Sequence, residues 1–156
     1  MDYNVIERYR AGKGATPMPK SVPLSVRLKK ETYEFVKELS RRTARPMGSI
    51  VSELAEEAAR MRSHPGISFA GPPGDRRARI EGTGLDVWEV IAVYRACGED
   101  VDSTRSVLSH LTPRQVEAAV RYYRSYPEEI EALIAENERP REEWERLYPY
   151  LRPLSR

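Results

Sequence analysis

The feature that most limits how this chain folds is one strand-like segment, followed by two helical patterns, with no second strand beside it. In Ser21-Val22-Pro23-Leu24-Ser25-Val26-Arg27-Leu28, the residues Leu24, Val26 and Leu28 alternate with Pro23, Ser25 and Arg27. That is the period of two of a half-buried strand. Pro23 has no amide hydrogen to give a ladder, so it belongs at the strand's start. The period then changes. Thr32, Phe35, Val36 and Leu39 share one face of a helix expected over about 30–42. Thr43-Ala44-Arg45-Pro46 ends it, because the residue before a proline is driven out of the helical region. Ile50, Val51, Leu54, Ala55, Ala58 and Met61 predict a second helix over about 47–62.

A single strand leaves a row of amides and carbonyls unbonded, and such an edge recruits another chain. The economical solution is a two-stranded antiparallel ribbon across a two-fold axis, with four helices packed on one face. Leu24, Val26 and Leu28 then point inward, while Pro23, Ser25 and Arg27 of both chains point outward. A ribbon of this width fits the major groove of duplex DNA. There Arg27 can fork onto guanine O6 and N7, and Ser25 can bond several base edges.

Charge supports a polyanionic partner for this half. The formal net charge is only +2, yet residues 1–62 carry thirteen Lys/Arg against eight Asp/Glu, and residues 63–156 carry thirteen against sixteen. All five lysines fall between Arg8 and Arg45. A basic half joined to an acidic half is the electrostatic pattern of a chain with one anionic partner.

The remaining organisation follows from breaks and caps. Residues 1–20, with Gly12-Lys13-Gly14, read as a flexible basic arm, residues 21–62 as the strand and two helices, and residues 63–77, rich in Gly and Pro, as a linker. A short extended piece is expected around Ala78-Arg79-Ile80, then a helix over about 87–97 closed by Gly98. Asp102 is expected to cap a short helix reaching Ser109. Thr112-Pro113-Arg114-Gln115 is a helix start with a threonine cap, proline at the first position and glutamine at the third. That helix puts Val116, Ala119, Val120 and Tyr123 on one face and Arg114, Arg121, Tyr122 and Arg124 on the other. A last helix runs to about residue 138 with Ile130, Leu133 and Ile134. Residues 78–138 thus read as one helical domain. Residues 139–156 form an amphipathic tail, where Trp144, Leu147, Tyr148 and Leu151 make an apolar stripe suited to docking, with Arg152 beside it.

The run from Leu24 to Glu31, with Leu39 and Ile50-Val51-Ser52-Glu53-Leu54, resembles the CopG/Arc/MetJ ribbon-helix-helix family over about residues 21–62. The resemblance implies an obligate homodimer on an operator of double-stranded DNA. Pro23, Ser25 and Arg27 would face the bases, with Lys29 and Lys30 on phosphates. The amides of Met47, Gly48 and Ser49 would clamp a phosphate at a helix start. Two residues depart from the pattern: Pro23 stands where a basic or polar base contact is frequent, and Pro46 replaces the usual serine cap. A second resemblance covers about residues 64–138. His64-Pro65-Gly66-Ile67-Ser68-Phe69, Arg79-Ile80-Glu81-Gly82-Thr83, Asp86-Val87-Trp88-Glu89-Val90 and Leu111-Thr112-Pro113-Arg114-Gln115-Val116 are similar to small helix-turn-helix-like domains of unassigned function in bacterial VapB-type antitoxins. This implies an antitoxin that represses its own operon and neutralises a PIN-like ribonuclease toxin. The alternative is a ribbon-helix-helix regulator without a toxin, its C-terminal half serving an effector or oligomerisation.

The expected class is therefore mainly α, a ribbon-helix-helix homodimer plus a helix-turn-helix-like domain with a short extended segment. Enzymatic readings lack residues. His64 and His110 are the only histidines, and the single Cys97 lies in an apolar helical pattern. No phosphate loop or metal-ligand spacing occurs, so no cofactor is expected. No apolar run is long enough for a membrane span or a secretory leader, which gives a cytoplasmic expectation.

Overall fold

The computed structural model describes residues 24–139. In chain order these form α1 (Lys30–Thr43), α2 (Met47–Ser63), β1 (Ile67–Ala70), β2 (Arg77–Ile80), α3 (Val87–Ala96), α4 (Val101–Val107), α5 (Pro113–Ser125) and α6 (Pro127–Asn137). The described chain is mainly helical with one two-stranded antiparallel sheet. Among the described residues no helix is long and apolar enough to cross a membrane. The expected arm, Pro23, and the residues Trp144, Leu147, Tyr148, Leu151 and Arg152 lie outside the described residues. The chain gathers into two units, one through Phe35 and one from Val36 onward.

In the first unit, residues 24–29 carry no strand within the single chain; the strand expected there is one half of a ribbon shared between two chains. A ladder needs a neighbour, and among the described residues this segment pairs with no strand. Leu24, Val26 and Leu28 are 84%, 54% and 37% exposed. On α1, Val36 is buried and Leu39 half-buried, while Thr32 and Phe35 are exposed rather than sharing the buried face expected of them. Glu31 in the first turn and Arg41 and Arg42 in the last complement the helix dipole.

The turn between α1 and α2 lies in the second unit. Ala44 takes a left-handed φ of 53° there, a conformation an L side chain adopts at a cost of about 1–2 kcal/mol. Ser40 Oγ donates to the Arg45 carbonyl at 2.6 Å and holds the turn. Residues 63–77, expected to be a linker, contain β1 instead. Ile67, Ser68, Phe69 and Ala70 pair with Ile80, Arg79, Ala78 and Arg77. The Gly and Pro residues that suggested a linker make the hairpin loop. Gly71 has φ +124°, and a Cβ there would stand 2.5 Å from the Asp75 carbonyl oxygen, so only glycine fits.

The sheet turns Ile67, Ala78 and Ile80 inward onto the helical layer. Val87, Val90 and Ile91 of α3, Val116, Ala119 and Tyr122 of α5, and Ile130 and Ile134 of α6 complete the core. Capping sets the helix starts. The Thr112 hydroxyl accepts from the Gln115 amide while Gln115 Oε1 accepts from the Thr112 amide at 2.9 Å, the reciprocal box expected from sequence. Gly98 follows α3 with φ 69°, as its expected role requires. The cap of α4 is Asp100, which accepts from the Ser103 amide at 2.8 Å, and not Asp102; that helix ends at Val107, short of Ser109. Asp100 has the extended backbone a cap needs, whereas Asp102 is already inside the first turn.

Ile91 is fully buried and Val107 is 63% exposed. Ile91→Ala should therefore cost about 2–5 kcal/mol in urea unfolding, and Val107→Ala less than about 0.5 kcal/mol.

Candidate nucleic-acid interface

The way α2 is held decides which of its faces remains available. Its docked face is Ile50, Glu53, Glu57 and Arg60, spaced three, four and three residues apart, all buried or half-buried. Three of the four are charged, and each charge has a partner. Glu53 pairs with Arg45 and also accepts from the Gly74 amide at 3.3 Å. Glu57, only 9% exposed, accepts from Arg76 Nε at 2.6 Å, and Arg76 also donates to the Phe69 carbonyl at 2.7 Å. Arg60 Nη1 donates to Glu129 Oε2 at 2.6 Å and to the Tyr122 hydroxyl at 3.0 Å. A cleft of about 630 Å³ runs beside this face, bounded by Ser49, Glu53, Arg60, Phe69 and Arg76.

The apolar residues that sequence periodicity assigned to the core side of α2 are largely uncovered. Leu54, Ala55, Ala58 and Met61 are exposed and Val51 half-buried; only Ile50 of that set is buried. Seven of the eight large exposed hydrophobics among the described residues are Leu24, Val26, Leu28, Tyr33, Phe35, Leu54 and Met61, Val107 being the eighth. Five of them lie in the unit through Phe35 and two, Leu54 and Met61, on α2 in the unit from Val36.

Of the residues expected to touch DNA, those that are described are exposed, apart from the half-buried Met47. Ser25, Arg27 and Lys29 lie in the irregular segment before α1 and Lys30 is its first residue; all four are exposed. At the other candidate contact, Pro46 caps α2 without any side-chain hydrogen bond, and Gly48 and Ser49 are exposed with Met47 half-buried. A Cβ built on Gly48 would meet nothing within 4 Å, so a side chain would fit there. First-turn amides with no side-chain cap are suited to a phosphate oxygen. The first group belongs to the unit through Phe35 and the second to the unit from Val36.

Tyr122 was expected on the outer face of α5 with Arg114, Arg121 and Arg124; it is fully buried instead. Its hydroxyl donates to Glu129 Oε1 at 3.0 Å, and its ring meets His64 edge-on at 5.3 Å. Arg60 also lies over the Tyr126 ring at 4.4 Å. Burial, reinforced by the Glu129 charge, pushes the Tyr122 hydroxyl above the ordinary tyrosine value of 10.0. Burial alone would lower Arg60, but its bonds to Glu129 and Tyr122 raise it. The Arg45 hydrogen bond holds the Glu53 carboxyl below its usual range, against the opposing effect of burial. Sequence periodicity missed this network because it ranks residues by hydrophobicity, and these contacts pair charges. Among the described residues, no group of His, Cys, Asp and Glu gathers in a form that could hold a metal ion. No known protein family, curated protein or solved structure matches the chain.

Tyr122→Phe removes a buried hydroxyl that serves two charged partners and should cost about 1–3 kcal/mol. It should also change the alkaline limb of stability. Because the folded value of Tyr122 is raised, its contribution is complete below about pH 10 and is lost as pH rises, when the unfolded chain releases the proton first. Urea melts at about pH 8 and about pH 10.5 should show a smaller alkaline loss for the variant than for the parent.

Proposed function

We propose that the chain is a homodimeric, sequence-specific DNA-binding protein of ribbon-helix-helix type that represses its own operon. The observation that carries this reading is the orientation of α2. That helix docks on its own chain through Glu53, Glu57 and Arg60 and leaves Leu54, Ala55, Ala58 and Met61 open. Leu24, Val26 and Leu28 are uncovered as well. A second copy that pairs the two strand segments covers Leu24, Val26 and Leu28 and turns Ser25 and Arg27 outward, and the open face of α2 calls for a partner surface in its own right. Lys29, Lys30 and the amides of Met47, Gly48 and Ser49 then supply phosphate contacts, which position the ribbon without reading sequence.

The narrower form of this proposal is an antitoxin whose C-terminal half neutralises a PIN-like ribonuclease. It rests on the resemblance of residues 64–138, and the residues that would carry it (Trp144, Leu147, Tyr148, Leu151 and Arg152) lie outside the described residues. A second reading, a regulator whose helical layer senses an effector, is favoured by the ties from Arg60 to Tyr122 and Glu129. A change in that layer acts directly on the helix whose first turn offers the phosphate site.

Arg27→Ala should weaken operator binding by roughly 1–3 kcal/mol and relax base preference at its contact. Lys29→Ala or Lys30→Ala should weaken binding to all sequences alike and flatten the salt dependence. Titrating a labelled operator duplex and a scrambled one with each variant separates the two effects. Unchanged affinity and preference in Arg27→Ala would remove the strand as reader. Ending the chain at Asn137 tests the antitoxin form. Retained operator binding without inhibition of a co-expressed nuclease supports it, and retained inhibition contradicts the role given to the tail.

A further inference from the structure

The outer face of α5 carries a row of arginines whose partners are scarce. Arg114, Glu117, Arg121 and Arg124 are spaced three, four and three residues apart, and all are exposed. That spacing sets them in one stripe along the helix. The arginines that precede them in this half are neutralised: Arg76, Arg77, Arg79, Arg95 and Arg105 each form an ion pair with a carboxylate. Arg121 has only a loose pair with Glu117 at 3.9 Å. Arg114 and Arg124 have no ion pair among the described residues. Glu129, Asp86, Glu131 and Asp102 pair with arginines off this row, namely Arg60, Arg79, Arg95 and Arg105. Glu117 and Glu81 border one cleft with Arg114 and Arg121.

We infer that α5 is a second contact with duplex DNA, in which Arg114 and Arg124 bind backbone phosphates and Arg121 joins them once its loose pair with Glu117 opens. The inference rests on the DNA-binding reading above and adds a surface to it. Ten residues of helix set Arg114 and Arg124 about 15 Å apart along the axis, a span of about four base-pair steps at 3.4 Å each. Two features favour a phosphate backbone over an acidic protein surface. No residue of α5 is among the large exposed hydrophobics, whereas protein interfaces are built around apolar and aromatic anchors. Arginine is also the side chain that grips phosphate in two-pronged fashion.

The test uses the full chain with two probes, a duplex of the DNA upstream of its own gene and a scrambled duplex of equal length. Binding constants are measured across a salt series for the parent, for Arg114→Ala/Arg124→Ala, and for Glu117→Gln. The double variant should lose affinity for both duplexes alike. Its slope of log K against log salt should be shallower by about 2–4, since each phosphate that the dimer no longer neutralises removes about 0.9. Its melting temperature should match the parent's, since neither side chain is packed. Glu117→Gln, which frees Arg121, should bind both duplexes more tightly. A parent that binds DNA, together with an unchanged slope in the double variant, overturns this inference alone and leaves an acidic protein as the partner of the row. A parent that binds neither duplex overturns the proposed function and this inference together.

Discussion

The hydroxyl of Tyr122 lies between an arginine from one helix and a glutamate from another, and much of the second unit hangs on that meeting. Tyr122 is fully buried, so its hydroxyl must find partners inside the protein. It finds Arg60 from the last turn of α2 and Glu129 from the first turn of α6. One side chain of α5 therefore fastens two other helices, and Tyr126 beneath the Arg60 guanidinium adds a cation–π contact. The next residue repeats the device toward the other neighbour: Tyr123 donates to Glu131 at 2.5 Å, and Arg95 of α3 reaches both. Such half-buried pairs fix geometry more than they add stability, because desolvation offsets most of their attraction.

Fixing α2 in this way has a consequence at its opposite face. The helix meets its own chain through charged residues, and among the described residues Leu54, Ala58 and Met61 stay exposed. Burying side chains of this size is worth roughly 1.5–3 kcal/mol each, a large amount beside the marginal stability of a domain. The alternating Leu24, Val26 and Leu28 present the same demand from the first unit. In the proposed dimer, a second copy answers these demands.

Local signals in the sequence were legible where backbone chemistry decides the outcome. Thr112, Pro113 and Gln115 announced the start of α5, Gly98 the end of α3, and Pro46 the break between α1 and α2. The hairpin was half legible. Ala78-Arg79-Ile80 read as extended, but its partner Ile67–Ala70 stood among Gly and Pro residues that signal a linker equally well. What the periodicity of α2 could not reveal was the choice of face. It marked the apolar stripe, and the chain instead buries Glu57 and Arg60, whose partners Arg76 and Glu129 lie far away in sequence. The inward turn of Tyr122 was hidden for the same reason. In the proposed interface, exposure of Ser25, Arg27, Lys29 and Lys30 agrees with a reading strand, while the ribbon itself is a property of two chains.

Sedimentation equilibrium of the full-length chain across the nanomolar to micromolar range addresses the central claim most directly. The account predicts a dimer throughout that range, with Val26→Asp shifting the protein to monomer because it places an unpaired charge where the two strands meet. A parent chain that sediments as a folded monomer at micromolar concentration would contradict it.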